Sequence, residues 1–259
     1  MTTPKMPTIK RAGMRWYPDP ITGEKRIGVT SVLSMLPKPF LPRWAAKVVA
    51  EEAIDTIGPV MSLVADGKRD AAIQMLKGAP WRSSGDAAST GTALHDIAEQ
   101  LNRGEDPGRI HPDLQPSVDH YKKFLDEWQP EFVEVEATAW GPDEDLWAGT
   151  MDAVIKLDGE QLIWDLKTGK GVYEEVALQL TAYSRARCIK EPDGTERPMP
   201  EVSGGAVLHL RPDGYRLIPV QISDEIYEVF QSLLVVAHWD AEMKKGVIGR
   251  PQKPNNTQE

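Results

Sequence analysis

The segment Trp147–Lys170 reads WAGTMDAVIKLDGEQLIWDLKTGK and has the pattern of a β-hairpin. Two stretches with alternating apolar residues flank Asp158-Gly159, a strong signal for a two-residue turn, because a type I′ turn needs positive φ at both central positions. If this turn closes the hairpin, Leu157 lies opposite Glu160. That single pair fixes the position of every other residue across the two strands.

This register places two acidic residues opposite each other. Asp152 is predicted to face Asp165, and Thr150 to face Lys167. Asp165 and Lys167 are two residues apart on one strand and therefore share a face. Like charges with β-carbons about 4.5–5.5 Å apart destabilise a sheet, so we expect a cation between the two aspartates. Two carboxylates, a divalent metal and an adjacent lysine are typical of a site that cleaves phosphodiesters.

Composition limits the class of protein. The chain has 259 residues, 41% of them hydrophobic and 27% charged, as in an ordinary globular protein. The single cysteine, Cys188, excludes an internal disulfide framework and any site built on several cysteines, and it fits a reducing cytoplasm, bacterial or of a phage-infected host. The sequence contains no apolar run near the roughly 18 residues of a membrane span, and its start lacks the apolar stretch of a signal peptide, so no membrane partner is expected.

Charge is unevenly distributed along the chain. The net charge is −9, yet residues 1–50 contain nine Lys or Arg and only two acidic residues. Such asymmetry is a hint of contact with a polyanion. A merely solvated basic face explains it equally well, so charge alone does not decide between a nucleic-acid partner and none.

The rest of the chain predicts a mixed α/β (α+β) protein with a single domain over residues 1–248. An N-terminal hairpin and helical elaboration (1–88) precedes a core (89–248), and 249–259 is a disordered tail. Trp128, Trp140, Trp147, Trp164 and Trp239 are predicted in the core. The predicted elements are a hairpin in 8–30, helices near Pro42–Ile57 and Val60–Leu76, a loop at Pro80–Ser89, a helix from Ser89 or Thr90 to Leu101, a helix at His111–Trp128, strands at Glu131–Trp140, Trp147–Leu157 and Glu160–Thr168, a helix at Glu174–Cys188, paired strands at Ser203–Leu210 and Gly214–Gln221, and a helix at Ser223–Lys245.

The triplet Asp165-x-Lys167 has a specific context. Two other acidic-x-Lys triplets, Asp66-x-Lys68 and Glu242-x-Lys244, lie in helical regions, where they do not share one face of a strand. Asp165 and Lys167 follow the apolar run Leu162–Trp164, which is typical of a strand. The alternative interpretation is an exposed strand end with an ordinary surface ion pair.

The residue types match a hard metal ion. Carboxylate and carbonyl oxygens suit Mg²⁺ or Mn²⁺, so Asp152, Asp165 and the backbone carbonyl of Leu166 are candidate ligands. Such a metal polarises a phosphoryl oxygen and lowers the pKa of a bound water. Lys167 is positioned to orient or deprotonate that water, or to stabilise the charge that develops on the phosphate.

Two further motifs flank the hairpin. Gly91-Thr-Ala-Leu-His95 places a glycine one helical turn before a histidine, where the missing β-carbon allows close approach by another group. Gln179-Leu-Thr-Ala-Tyr183 places an amide and a phenol one turn apart. Taken singly, each has an ordinary structural explanation: a satisfied histidine on an amphipathic helix, and a tyrosine buried between helix and sheet.

The four motifs G-x-x-x-H, G-x-x-D (Gly149–Asp152), D-x-K and Q-x-x-x-Y, in this order, resemble the RecB-like branch of the PD-(D/E)xK nuclease superfamily. That branch includes RecB-type nuclease domains and CRISPR-associated and phage exonucleases. The resemblance implies a restriction-endonuclease-like αβββαβ core with a central mixed sheet flanked by helices. It implies metal ligation by His95, Asp152, Asp165 and the Leu166 carbonyl, catalysis by Lys167, and support of the site or contact with DNA by Gln179 and Tyr183.

Some members of this branch carry an iron–sulfur cluster on four cysteines; with one cysteine, this chain cannot. It also has no P-loop, so any unwinding of DNA would come from a partner such as a recombinase, an annealing protein or a helicase. Three residues are weaker candidates: Glu136 as a supporting or second-metal carboxylate, and Lys170 and Arg82 as phosphate contacts. Each is also explained as ordinary surface charge.

We therefore expect a Mg²⁺- or Mn²⁺-dependent deoxyribonuclease, an exonuclease that acts on single-stranded or duplex DNA ends in recombination, repair or phage DNA processing. Exonuclease activity is implied by the resemblance alone. The alternatives are a structure-specific or restriction-type endonuclease, a non-catalytic DNA-binding recombination or packaging partner, and a phosphohydrolase acting on nucleotides or RNA.

Overall fold

The computed structural model describes residues 5–251. Its strands are β1 (Ile9–Arg11), β2 (Met14–Pro18), β3 (Lys25–Gly28), β4 (Glu131–Trp140), β5 (Trp147–Leu157), β6 (Glu160–Lys167), β7 (Cys188–Lys190), β8 (Glu196–Pro198), β9 (Gly204–Arg211) and β10 (Gly214–Val220). Its helices are α1 (Val29–Leu33), α2 (Leu41–Asp55), α3 (Ile57–Ala65), α4 (Arg69–Lys77), α5 (Ala79–Asn102), α6 (Gln115–Trp128), α7 (Glu175–Ser184) and α8 (Asp224–His238), with a π-helical turn at Trp239–Met243.

All ten described strands join one mixed sheet. β4, β5 and β6 form an antiparallel meander, β9 lies parallel to β6, and β10 returns antiparallel to β9. β3 joins β5 in parallel and brings β2 and β1 with it, whereas β7 and β8 extend the sheet beyond β4. The order α6, β4, β5, β6, α7, β9 reproduces the predicted order of one helix, three strands, one helix and one strand.

Helices cover both faces of the sheet. Val154 and Ile163 face the cluster that contains α7 and α8, whereas Ala153, Ile155 and Trp164 face the cluster that contains α5 and α6. Successive residues of a strand point to opposite faces, so both sides of this hairpin are apolar and buried. The prediction of a mixed sheet flanked by helices is confirmed.

The hairpin of β5 and β6 has the predicted register. Ala153 pairs with Trp164 and Leu157 with Glu160, and the turn residues Asp158 and Gly159 have φ of 49° and 85°. The pairing ends at Ala153, one position before the aspartates. Asp152 and Asp165, and likewise Thr150 and Lys167, are therefore not rungs of the ladder as predicted, because the two strands separate there.

Several predicted boundaries are wrong in the N-terminal half. The expected loop Pro80–Ser89 is helical. Pro80 lies in the first turn of α5, where proline fits a helix, and the polar residues after it are exposed, so the helix buries none of them. Ser89 and Thr90 are therefore not caps. The predicted boundary between residues 88 and 89 falls inside α5. The pattern at Val60–Leu76 forms two helices, divided at Gly67, whose φ is 74°.

The C-terminal half needs fewer corrections. α7 ends at Ser184 because Cys188 already belongs to β7, and α8 ends at His238 before the π-helical turn. Trp140, Trp147 and Trp164 are buried as predicted. The prediction of core positions is wrong for Trp128 and Trp239, whose side chains are 39% and 46% exposed.

Of the predicted tail, residues 252–259 lie outside the described part of the chain, and residues 249–251 have no regular secondary structure. Within residues 5–251, the structure contains no helix with the length and apolar character needed to cross a bilayer.

Candidate metal centre and active site

The site is built around a gap in the pairing of β5. β4 occupies one edge of β5, while β3 pairs with Trp147 and Ala148 on the other edge and β6 pairs there only from Ala153 onward. Residues 149–152, which we call the β5 gap, therefore lack a strand partner on that edge. Unpaired backbone groups in a buried sheet need other hydrogen-bond partners.

Two tyrosines supply those partners. The Tyr17 hydroxyl accepts a hydrogen bond from the Thr150 backbone N–H at 3.3 Å, and the Tyr183 hydroxyl donates to the Thr150 carbonyl at 2.9 Å. Tyr17 comes from β2 and Tyr183 from α7, so the N-terminal hairpin and the helix after β6 both secure the β5 gap. Tyr183 was predicted to support the site, and here it does so through the backbone of β5.

Steric contacts explain why the G-x-x-D motif has a glycine at position 149. A β-carbon on Gly149 would lie 2.8 Å from Cε1 of Tyr183 and 3.2 Å from a methyl group of Val29. Gly91 of the G-x-x-x-H motif has a milder version of the same constraint, since a β-carbon there would lie 3.2 Å from the Thr168 hydroxyl. The two glycines let α7 and α5 approach the ends of the strands that carry the acidic residues.

Beyond the last backbone pair of β5 and β6, the side chain of Asp152 makes the hydrogen bond to β6. Its Oδ2 accepts a hydrogen bond from the Leu166 backbone N–H at 2.8 Å and lies 3.4 Å from Nδ1 of His95. Burial lowers the pKa of His95, and interaction with the Leu166 backbone partly opposes that shift. The predicted ligands His95 and Asp152 are thus brought together, and Leu166 lines the same small cavity.

Glu136 completes a group of potential metal ligands. One atom each from His95, Glu136 and Asp152 lie within 4.8 Å of one another, and all three side chains are partly buried. On β4, the neighbours of Glu136 pair with the neighbours of Asp152, so these two residues face each other across the strands. Glu136 has φ of 52°, which is rare and costly for a non-glycine residue and is found preferentially at functional sites.

The charges at this group fit a cation. Burial, followed by the charge of Asp152, raises the pKa of Glu136 to about 7. Burial, followed by the charge of Asp165, raises the pKa of Asp152, and burial lowers the pKa of His95. A neutral imidazole is the ligand form of histidine, and two carboxylates that ionise reluctantly together are relieved by a divalent metal. One imidazole and two carboxylates are therefore a donor set that can hold a divalent metal ion.

Asp165, a predicted metal ligand, lies in the same cleft as His95 and Asp152, beside Lys167 and Gln179. It is buried, its Oδ1 accepts a hydrogen bond from the Gln179 amide at 3.0 Å, and the Lys167 ammonium lies 2.6 Å from its Oδ2. Lys167 also donates to Oε1 of Gln179 at 3.2 Å. The close group of three ligand atoms does not include Asp165. Its carboxylate instead holds Lys167, with Gln179 bridging the two.

One cleft of about 640 Å³ contains this whole arrangement. The lining residues that the sequence predicted are His95, Glu136, Asp152, Asp165, Lys167, Gln179 and Tyr183. Lys5 was not predicted: its ammonium lies 3.0 Å from Glu99 and 3.5 Å from Glu136. The basic bias of residues 1–50 was the only signal for Lys5 in the sequence, and it did not single out this residue.

Two predicted contacts do not reach the cleft. Arg82, in the first turns of α5, pairs with Glu52 of α2 and donates to the Met75 carbonyl. Lys170 is exposed on the loop after β6 and, among residues 5–251, has no hydrogen-bond or ion-pair partner. Neither lines the cleft. Arg82 therefore connects α5 to α2. Lys170 lies three residues after Lys167 in the sequence, outside the cleft.

Comparisons with known proteins add little to this geometry. No family model matches the chain, and no curated protein matches it. Among solved structures, the chain is similar to one described as "Crystal structure of SSO0001", with 14% identity, 82% of this chain and 74% of that chain covered, and a TM-score of 0.34. A likeness of that size carries no argument about fold or function.

Proposed function

We propose that this protein is a metal-dependent deoxyribonuclease of the RecB-like type, and that it hydrolyses DNA from its ends. The observation that carries the proposal is the convergence of His95, Glu136 and Asp152 within 4.8 Å, in the same cleft as Lys167. A metal-ligand set beside a lysine ammonium is a combination suited to phosphodiester hydrolysis.

Each side chain has a role in this proposal. His95, Glu136, Asp152 and the Leu166 carbonyl hold the metal, which when bound supplies Lewis-acid activation of the phosphate and a more acidic water. Glu136 joins the ligand set in this scheme. Asp165 stays a candidate ligand, because its buried Oδ2 lies 2.6 Å from the Lys167 ammonium but has no hydrogen-bond partner among the described residues.

Lys167 is the catalytic residue in this scheme. Its side chain is 34% exposed, so the ammonium faces the cleft while Asp165 and Gln179 fix its position. Lys167 donates hydrogen bonds to the attacking water and to the scissile phosphate. Positioning of this kind is effective because the geometry is set before the substrate arrives.

Phosphate contacts supply most of the affinity for DNA. Lys5 and Arg15 line the cleft together with Lys167, although the chain as a whole is acidic. Such contacts carry no sequence information, so binding is sequence-independent and weakens as salt rises. We place the activity in DNA recombination, repair or phage DNA processing in the cytoplasm, with a recombinase, annealing protein or helicase as the kind of partner that supplies ends.

The test measures Mg²⁺- or Mn²⁺-dependent degradation of end-labelled linear DNA by the wild type and Lys167→Ala. We expect Lys167→Ala to lose at least about 100-fold in rate. Lys68→Ala is a matched control, because Lys68 also pairs with an aspartate two residues earlier, Asp66, at 3.3 Å. Both side chains of that pair are exposed, and Lys68 does not line the cleft. Equal rates for all three proteins, or no degradation by the wild type with either metal, would refute the proposal.

Exonuclease and endonuclease activity are separated by substrate topology. Covalently closed circular DNA has no ends, so an exonuclease leaves it intact while it degrades the same molecule after linearisation. Cleavage of the closed circle would establish the structure-specific or restriction-type alternative instead. Binding of DNA without hydrolysis would establish the non-catalytic alternative.

A further inference from the structure

A second opening leads away from Lys167. A pocket of about 380 Å³, whose lining includes none of His95, Glu136 and Asp152, shares Thr30, Lys167 and Gln179 with the cleft. Its remaining lining includes Lys38 and the glycine-containing loop at 169–173. A polymer whose scissile phosphate contacts Lys167 can therefore continue into this pocket without leaving the protein surface.

The path continues into a larger apolar groove. This groove has a volume of about 740 Å³ and shares Lys38, Tyr173 and Glu175 with the pocket beside Lys167. Its walls are formed by the segment after α1, by the start of α7 and by the start of α8. We call the pocket and the groove together the aromatic groove, because Phe40 and Tyr173 are its aromatic side chains.

Phe40 and Tyr173 present flat, accessible faces. Their ring centroids lie 6.4 Å apart with an angle of 14° between the planes, and the two residues are 53% and 56% exposed. The two rings stack on each other, and about half of each residue stays open to solvent. Aromatic faces of this kind are the stacking platforms on which unpaired bases bind, at about 1–3 kcal/mol per base.

We propose that the aromatic groove binds the single-stranded part of the substrate, with one or more unpaired bases stacked on Phe40 and Tyr173. This inference rests on the proposed nuclease function and specifies its substrate as DNA with a single-stranded end. The continuity from Lys167 to Tyr173 carries the argument, because it connects the stacking platform to the catalytic lysine through a single path.

The charges of the groove favour bases over phosphates in its outer part. Glu174 and Glu225 line that part and are exposed, whereas Glu175 is paired with Lys38 at 3.2 Å. The two exposed carboxylates repel phosphates and accept hydrogen bonds from the N–H groups of unpaired bases, including the N3–H of thymine. A strand in the groove therefore turns its bases toward the apolar floor and its phosphates toward solvent. A duplex cannot do so, because its bases are stacked and paired internally.

The test measures binding of a fluorescein-labelled 15-nucleotide oligo(dT) to the full chain by fluorescence anisotropy, in EDTA so that no hydrolysis occurs. We expect Phe40→Ala and Tyr173→Ala each to weaken binding by roughly 5- to 150-fold, the range for loss of one stacked base. Tyr173→Trp should retain the wild-type affinity. Trp239→Ala is the matched control, because Trp239 is a comparably exposed aromatic outside the groove, and it should leave the affinity unchanged.

Unfolding curves of the same proteins establish that the variants are folded, as expected for side chains that are half exposed. Unchanged oligo(dT) affinity in both alanine variants overturns the proposal and leaves the groove to another occupant, such as a basic, apolar protein segment. An equal loss in Trp239→Ala also overturns it. Degradation of linear DNA with metal is scored separately, so failure of the aromatic groove and failure of the nuclease proposal give different results.

Discussion

Replacement of Gly149 by alanine tests how the site is assembled. The added β-carbon would lie 2.8 Å from Cε1 of Tyr183, 3.0 Å from its hydroxyl oxygen and 3.2 Å from Cγ2 of Val29. All three atoms belong to buried side chains, so the neighbours cannot move away into solvent. Overpacking of this kind costs about 1–3 kcal/mol.

If Tyr183 moves instead, the cost has a different origin. The Thr150 carbonyl then loses the hydroxyl that donates to it at 2.9 Å, and an unsatisfied buried acceptor also costs about 1–3 kcal/mol. Either response therefore lowers the free energy of unfolding by about 1–3 kcal/mol. The second response also displaces the β5 gap and with it Asp152, so DNA cleavage should fall along with stability.

Urea denaturation followed by tryptophan fluorescence measures the first quantity, and the rate of degradation of linear DNA measures the second. Gly58→Ala is the control, because a β-carbon on this helical residue would meet nothing within 4 Å. It should be neutral or slightly stabilising, as expected for Gly to Ala in a helix. A change below about 0.5 kcal/mol for Gly149→Ala would show that the contact between Gly149 and Tyr183 does not constrain the site.

Three further predictions concern the metal centre. Mn²⁺ at 100 times its dissociation constant should stabilise the wild type by about 2.7 kcal/mol in thermal or urea unfolding, and Asp152→Asn should abolish most of that gain; an undiminished gain would remove Asp152 from the ligand set. Without metal, the raised pKa of Glu136, about 7, means that the folded state binds more protons than the unfolded state, so stability should fall as pH rises from about 4.5 to 7, by up to about 3 kcal/mol. The pKa of Asp152 is also raised and contributes a dependence of the same sign, so Glu136→Gln should reduce the dependence in EDTA without abolishing it; an unchanged profile would contradict this. Gln179→Ala should slow cleavage about 10- to 100-fold with DNA binding retained, because Gln179 holds Lys167 and Asp165 without a role in affinity; an unaltered rate would refute this.

The hairpin was predictable because its information is local. Asp158-Gly159 sets the turn, and the alternation of apolar residues around it sets the faces, so Ala153 and Trp164 were paired correctly from the sequence. Both signals lie within a short stretch of chain. The same locality made β4 and β9 predictable to within a few residues.

The β5 gap was not predictable, since its causes are distant in sequence. Thr150 pairs with β4 on one edge of β5. On the other edge, Tyr17 and Tyr183, from two other parts of the chain, bind its backbone in place of a strand. Glu136 faces Asp152 through a residue with positive φ in a strand that also contains a bulge, and no residue type at these positions signals either feature. The sequence therefore identified most of the residues of the site, but not the positive φ of Glu136 or its close approach to His95 and Asp152.

The segment 80–89 shows the opposite failure. Its composition, with three serines and one glycine in ten residues, is typical of a loop, and a loop was predicted. Ala79 and Pro80 are buried at the start of α5, and from there the helix runs without a break to the buried Ala98. The local preference of residues 80–89 for a loop is therefore outweighed by the packing of the residues at the two ends of α5.

The β5 gap also makes the N-terminal hairpin a structural part of the site. β3 covers the start of β5, and Tyr17 of β2 binds the backbone two residues before Asp152. The segment from Lys5 to Gly28 therefore forms one wall of the cleft, although it precedes the sequence motifs of the cleft by more than sixty positions. A fragment that begins at those motifs would retain the candidate metal ligands and Lys167, but it would lack Tyr17 and β3 and would expose the edge of β5.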